Sequence, residues 1–212
     1  MTGVGLVLFH GAGGDRDHPT FLALEAQLAS PVARVNFPYR AKGPGRRPPD
    51  RMPRLIEAVA EAADHWSQQW DLPPDQVVLG GRSLGGRAAS MAIAEGQAAR
   101  GLLLLSYPLH PPGKPDRLRV EHFGRISCPV LLIQGNRDPF GTPAELAAHL
   151  PSMAGPVEQS WIDAGHDPRR HDDAIVATVQ PWLERLERLE RSERSERGRG
   201  RKRQAPSQDR GG

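Results

Sequence analysis

A chain of 212 residues with one cysteine is sized for a single folded domain with a real core, and it cannot hold an intrachain disulfide. Its net charge of +3 does not mark a nucleic-acid-binding body: residues 1–184 carry 18 basic and 20 acidic side chains, and the positive excess sits in residues 185–212, with 10 basic and 5 acidic. No apolar run approaches a membrane span and no cysteine or histidine spacing suits a metal, so the expectation is a soluble cytoplasmic protein with no cofactor, no metal and no membrane partner.

The first predicted strand, Gly5–Phe9, is apolar and runs into His10-Gly11-Ala12-Gly13-Gly14. Glycines there let the main chain approach a bound molecule closely. Such a loop reads as a phosphate cradle or as a supplier of N–H donors. The missing G-x-G-x-x-G spacing and Walker lysine favour the second. A helix over Pro19–Ala29 and a strand over Val32–Phe37 follow. The Pro/Gly-rich stretch Tyr39–Arg54 then holds Arg40, Lys42, Arg46, Arg47, Arg51 and Arg54. It is either a plain solvated loop or, hanging over the edge where the second strand ends, a recogniser of carboxylate or phosphate on a substrate, with Arg40 as a candidate contact.

After a helix over Met52–Trp70 comes the most informative run, V-V-L-G-G-R-S-L-G-G-R at 77–87. A strand (Val77–Gly80) turns through Gly81-Arg82-Ser83-Leu84-Gly85 into a helix over Leu84–Ala99. Strand, G-x-S-x-G, helix is the pattern of a nucleophile elbow. With 23 Gly and 11 Ser, the bare pattern arises by chance in roughly one such chain in eight, so the flanking strand and helix must decide. A sharp reversal strains the backbone at Ser83 and leaves no room for side chains at Gly81 and Gly85. Arg82 and Arg87 flank the turn. Arg82 is a candidate substrate contact. A cation at Arg87 is unfavourable beside a helix N-terminus, which points to a structural ion pair across the site ahead of substrate binding.

The fourth strand, Leu102–Ser106, is followed by the short Pro-rich segment Tyr107–Cys128, in which His110 is a candidate substrate contact and Cys128 an inert packing residue. Strand Val130–Gln134 runs into Gly135-Asn136-Arg137-Asp138, a helix spans Pro143–Leu150, and strand Val157–Ile162 runs into Asp163-Ala164-Gly165-His166-Asp167. The last predicted helix is Asp172–Leu189. Its Glu-Arg repeat extends into residues 185–212, which past Gly198 have almost no apolar side chains and read as disordered. That tail is either solvated or a weak arm for nucleic acid.

Alternating apolar strands and amphipathic helices define an α/β fold, a doubly wound, mostly parallel sheet of about six strands in residues 1–184. The polar and glycine-rich motifs all follow strand ends, the edge where such sheets carry their sites. A serine hydroxyl needs an adjacent base. His166, past the last strand, is the candidate base for a Ser83 nucleophile. Asp138 is the orienting acid, with Asp163 and Asp167 as rivals, and the order Ser, Asp, His is that of a known class of hydrolase. Oxyanion donors would be the main chain of Leu84 and of Ala12, with Gly11 beside it.

These motifs resemble those of the α/β-hydrolase superfamily. More narrowly, G-G-R-S-L-G-G-R (80–87), F-P-Y-R (37–40), Y-P-L-H-P-P-G-K (107–114) and Q-G-N-R-D-P-F-G-T (134–142) resemble the hydrolase-like family that includes testis-expressed protein 30 and the NSL-complex subunit 3 hydrolase-like region, itself similar to dienelactone hydrolases. The resemblance implies a cofactor-free serine hydrolase acting on a small, soluble ester, lactone or thioester. The chain departs from the usual fold of that superfamily in opening directly on the strand before the oxyanion loop, so a sheet trimmed of two N-terminal strands is expected, and the short segment Tyr107–Cys128 leaves room for no large lid. A catalytically silent, hydrolase-shaped module that binds a protein partner is the alternative, and a peptidase on the same residues is a further one.

Overall fold

Largely apolar runs at Gly5–Phe9 (β1), Val77–Arg82 (β3), Gly101–Leu105 (β4) and Val130–Gly135 (β5) form the middle of one six-stranded sheet, with Val32–Val35 (β2) and Val157–Ile162 (β6) at its edges. The computed structural model describes residues 3–41 and 47–203. Every pairing is parallel, in the order β2-β1-β3-β4-β5-β6. Strands with neighbours on both sides are buried on both faces, and β1 and β4 are buried at every position. β6, paired on one side only, is half exposed.

Period-two alternation sends successive side chains to opposite faces and builds two cores. On one face Val7, Phe9, Leu79, Leu104 and Leu132 pack against helices Met52–Gln69 (α3) and Leu84–Ala94 (α4) through Leu55, Val59 and Ala88. On the other, Leu6, Leu8, Leu103, Leu105 and Ile133 pack against helices Pro19–Gln27 and Asp172–Arg203 through Phe21, Leu24, Ile175 and Trp182. We number these two helices α1 and α6; Pro38–Ala41 is α2 and Pro143–His149 is α5. Burying each large apolar side chain contributes about 1.5–3 kcal/mol.

Element ends differ from expectation where local geometry overrides composition. β2 stops at Val35, because Pro38 opens the unpredicted one-turn helix α2. β3 runs two residues further than predicted, since Gly81 pairs with Phe9 and Arg82 with Leu105. α4 closes at Ala94 instead of Ala99, and Gly96 just beyond it has φ 109°. α6 continues to Arg203, through the segment after Gly198 that composition marks as disordered, with Arg191 and Glu187 paired one turn apart at 3.3 Å on its exposed side. Lys42 and Arg46 of the basic loop and residues 204–212 lie outside the described residues. Among the described residues, no helix is long and apolar enough to cross a membrane.

This order positions the site. From β1 the chain goes outward to β2, then returns to β3 on the other side of β1 and proceeds to β6. The carboxyl ends of β1 and β3 therefore flank the point where the winding reverses, the place where such sheets open a crevice. The two ends touch through glycine. A Cβ on Gly85 would lie 1.9 Å from the Phe9 carbonyl oxygen, and one on Gly81 would lie 2.2 Å from the same atom. Gly85→Ala should therefore reduce stability by at least the upper end of the ~1–3 kcal/mol typical of overpacking. Chemical denaturation of the two proteins measures this, and a variant as stable as the parent would show that the turn can relax.

Candidate active site

Ser83 joins β3 to α4 with φ 51° and ψ −112°, a left-handed backbone that costs a residue with a side chain about 1–3 kcal/mol. Its N–H donates to the Leu105 carbonyl at 2.9 Å, which anchors the turn to the neighbouring strand. The hydroxyl stands 2.8 Å from His166 Nε2. His166 Nδ1 stands 2.8 Å from Asp138 Oδ2. A carboxylate only accepts, so Nδ1 carries the proton and Nε2 presents its lone pair to the Ser83 O–H. The three residues predicted from chain order thus form one hydrogen-bonded chain.

Asp138 is fully buried, and its oxygens are occupied. The Phe140 N–H donates to Oδ1 at 2.9 Å, and Gln134 Nε2 donates to Oδ2 at 2.9 Å. Gln134 is itself fully buried on β5, and its amide also reaches the carbonyls of Tyr107 (3.2 Å) and Gly141 (3.3 Å). The Phe140 ring stacks on the imidazole of His166 at 4.0 Å. Arg82 donates to the His166 carbonyl at 3.2 Å and pairs with Asp167 at 3.6 Å, which ties the loop after β6 to the end of β3. The rival acids have other partners: Asp163 pairs with Arg137, and Asp167 with Arg82 and Arg169.

The loop after β1 is held by its first residue. Phe37 N–H donates to His10 Nε2 at 3.1 Å, and His10 Nδ1–H donates to the Gly11 carbonyl at 2.8 Å. This pairing needs the neutral ring, and burial keeps the His10 pKa below its usual range. Ala12 and Gly13 of this loop, with Leu84 at the first position of α4, line a pocket of about 320 Å³ above Ser83. The Leu84 N–H belongs to the helix's first turn and has no intrahelical acceptor. Gly11 does not line the pocket; its carbonyl closes the loop through His10 and through Gly14 N–H at 3.1 Å.

The remaining walls are Arg82, Arg87, Pro108, Arg119, Phe140 and His166. Two predicted substrate contacts are elsewhere. His110 is buried, its ring held between the Pro111 carbonyl (2.9 Å) and the Glu145 carboxylate (3.2 Å), because α5 packs that acid against it. Arg40 lies outside this lining and reaches Asp15 at 3.4 Å. The expected ion pair of Arg87 is also absent: among the described residues no carboxylate lies at ion-pair distance from it. Sequence reasoning missed Arg119, Phe140 and Gln134. Only Gln134 left a signal, as an amide directly after the apolar run Val130–Ile133, on a strand that buries it. A larger pocket, about 860 Å³, lies at the amino end of β1 beside Val4, Leu28 and Trp70 and holds none of these groups.

Residues 3–182 match the family described as Alpha/beta hydrolase domain, and the chain belongs to that family. Its fold is similar to that of a thermophilic esterase from Thermogutta terrifontis, at 18% identity over 88% of this chain and 91% of that one (TM-score 0.70). It is also similar to Est1E from Butyrivibrio proteoclasticus, at 14% identity over 86% and 89% (TM-score 0.72). A third similar fold is the RedJ thioesterase of the prodiginine biosynthetic pathway in Streptomyces coelicolor, at 20% identity over 84% and 89% (TM-score 0.62).

Replacing Gln134 by Leu would strip a donor from three buried acceptors at once. A buried group left without a partner costs about 1–3 kcal/mol. Gln134→Leu should therefore lower the unfolding free energy by at least that amount, read from denaturant unfolding, and unchanged stability would mean that water replaces the amide.

Proposed function

We propose that the protein is a serine hydrolase that cleaves a small ester, lactone or thioester through an acyl-enzyme on Ser83. What carries the reading is the continuous chain of two 2.8 Å hydrogen bonds from the buried Asp138 through His166 to a hydroxyl that opens into a pocket. As Ser83 Oγ adds to the acyl carbon, His166 Nε2 takes its proton, and Asp138 stabilises the imidazolium. The charge on the former carbonyl oxygen is met by the N–H groups of Leu84 and Ala12. Collapse of the adduct expels the alcohol or thiol, which takes the proton from His166. Water then attacks the acyl-enzyme, again giving its proton to His166, and releases the acid and free Ser83.

The pocket volume sits at the small end of the ~300–1,000 Å³ range of ligand sites and suits a short acyl group better than a long lipid chain. Within the superfamily, the Y-P-L-H-P-P-G-K segment resembles the hydrolase-like family of testis-expressed protein 30, itself similar to dienelactone hydrolases, and that resemblance supports a small ester or lactone as substrate. A cytoplasmic setting belongs to the same proposal, since a single cysteine forms no intrachain disulfide and fits a reducing compartment.

A fluorophosphonate probe should label the parent protein at Ser83, and Ser83→Ala should lose both the label and the hydrolysis of p-nitrophenyl butyrate. Parent protein that takes no label and turns over no ester would be the silent interaction module instead. Asp138→Asn would favour the wrong imidazole tautomer and should lower kcat on the order of 10⁴-fold, measured on the same ester.

A further inference from the structure

One of the three arginines that line the pocket, Arg82, pairs with an acid, Asp167, as Arg137 does with Asp163, Arg169 with Asp167 and Arg40 with Asp15 outside the lining. Arg87 and Arg119 line the pocket over Ser83, and among the described residues neither has a carboxylate at ion-pair distance. Both are half-buried. Arg87 Nε is fully buried with no hydrogen-bond partner. Arg119 places one Nη1–H on the Pro108 carbonyl at 3.3 Å. The two cations feel each other: burial first, and then Arg87, holds the Arg119 pKa below its usual range. His122, bonded to Ser90 Oγ at 2.7 Å, is pushed down to about 4 by burial and then by Arg87. Arg87 also sits on the first turn of α4, where the helix dipole adds to the positive field.

A pair of cations in a concave, partly desolvated site is an unfavourable arrangement for the empty protein, and an anion removes it. Guanidinium groups bind planar oxyanions through two parallel N–H donors, which a small cavity can orient. We infer that Arg87 and Arg119 bind an oxyanion carried by the substrate, so that the acyl compound presented to Ser83 ends in a carboxylate or phosphate. This specificity rests on the hydrolase reading, but anion binding does not. The anion enters beside the reacting centre, and the cations also favour the negative charge that develops on the acyl oxygen. Arg82, whose charge is already met by Asp167, positions the His166 loop.

Two measurements test this on the full chain. Calorimetry of the Ser83→Ala protein with glutarate and with inorganic phosphate reads anion binding without turnover. Saturable binding of at least one is expected, weakened roughly tenfold or more when Arg87→Gln and Arg119→Gln are added. Whichever anion binds more tightly tells a carboxylate from a phosphate substrate. Kinetics on the parent then compare p-nitrophenyl hemiglutarate with p-nitrophenyl valerate, its neutral counterpart. The kcat/KM ratio should favour the anionic ester by roughly tenfold or more and fall towards one in Arg87→Gln. Arg87→Lys, which keeps the charge but not the two-donor fork, should retain only part of the preference, between that of the parent and that of Arg87→Gln. Circular dichroism checks that each variant is folded. Hydrolysis of the valerate with no anion bound and no preference would overturn the anion site and spare the hydrolase. Anion binding that depends on the arginines, with neither ester hydrolysed, would spare the site and sink the hydrolase.

Discussion

The closeness of α4 to the end of β1 is the constraint on which the site depends. The Phe9 carbonyl lies where a side chain on Gly81 or Gly85 would have to be, and both positions are glycine. That contact lets the chain turn from strand to helix within one residue and puts Ser83 in a left-handed backbone. It also brings the loop after β1 beside the first turn of α4, so Ala12 and Leu84 face one cavity. A wider turn would separate the hydroxyl from its two candidate N–H donors. Strain at one residue, roughly 1–3 kcal/mol, is offset by a sheet whose central strands are buried on both faces.

His166 sits on a loop, and loops are ordinarily the mobile parts of a fold. Here the loop is held from several directions. Asp138 fixes one ring nitrogen, Phe140 covers a ring face, and Arg82 grips the main-chain carbonyl. Behind these stands Gln134, whose amide joins Asp138 to the carbonyls of Tyr107 and Gly141. The imidazole is thus positioned by β3, β5 and the segment after β4 together. In a buried polar network each satisfied member adds rigidity, and here both oxygens of Asp138 have donors.

The fold was legible because its cause is written locally. A strand covered on both faces is apolar at every position, and β1, β4 and most of β5 read that way directly. That Ser83, Asp138 and His166 would meet was legible because each follows a strand end, and a parallel sheet gathers those ends on one edge. Boundaries were less so. α4 could have run to Ala99 on composition, and only the positive φ of Gly96 past its end marks the stop. The charge pairing was not legible at all. His110 and Arg40 are the residue types a substrate site uses, yet tertiary packing gave them to Glu145 and Asp15. Arg87 looked like half of an ion pair because a helix N-terminus disfavours it, and the missing half is only visible when every neighbouring element is in place. Arg119, in a Pro-rich segment with no periodicity, carried no signal of its proximity.

An arginine at a helix N-terminus forgoes about 0.3–1 kcal/mol of favourable dipole interaction, and a second arginine nearby adds repulsion. Nothing in the two cores needs either charge. An apolar or amide side chain of similar length would fill the same space on α4 without the penalty. The arrangement is therefore poor as a structural device and good as a binding one, since local rules tend to be broken where function sets the terms. The overall charge argues the same way. Residues 1–184 have more acids than bases, so the positive field at the pocket mouth is local, produced by where the arginines are and not by how many there are. A small anion drawn to this molecule would find its complement beside Ser83, where the strained turn, the buried acid and two guanidinium groups with no carboxylate partner among the described residues all converge.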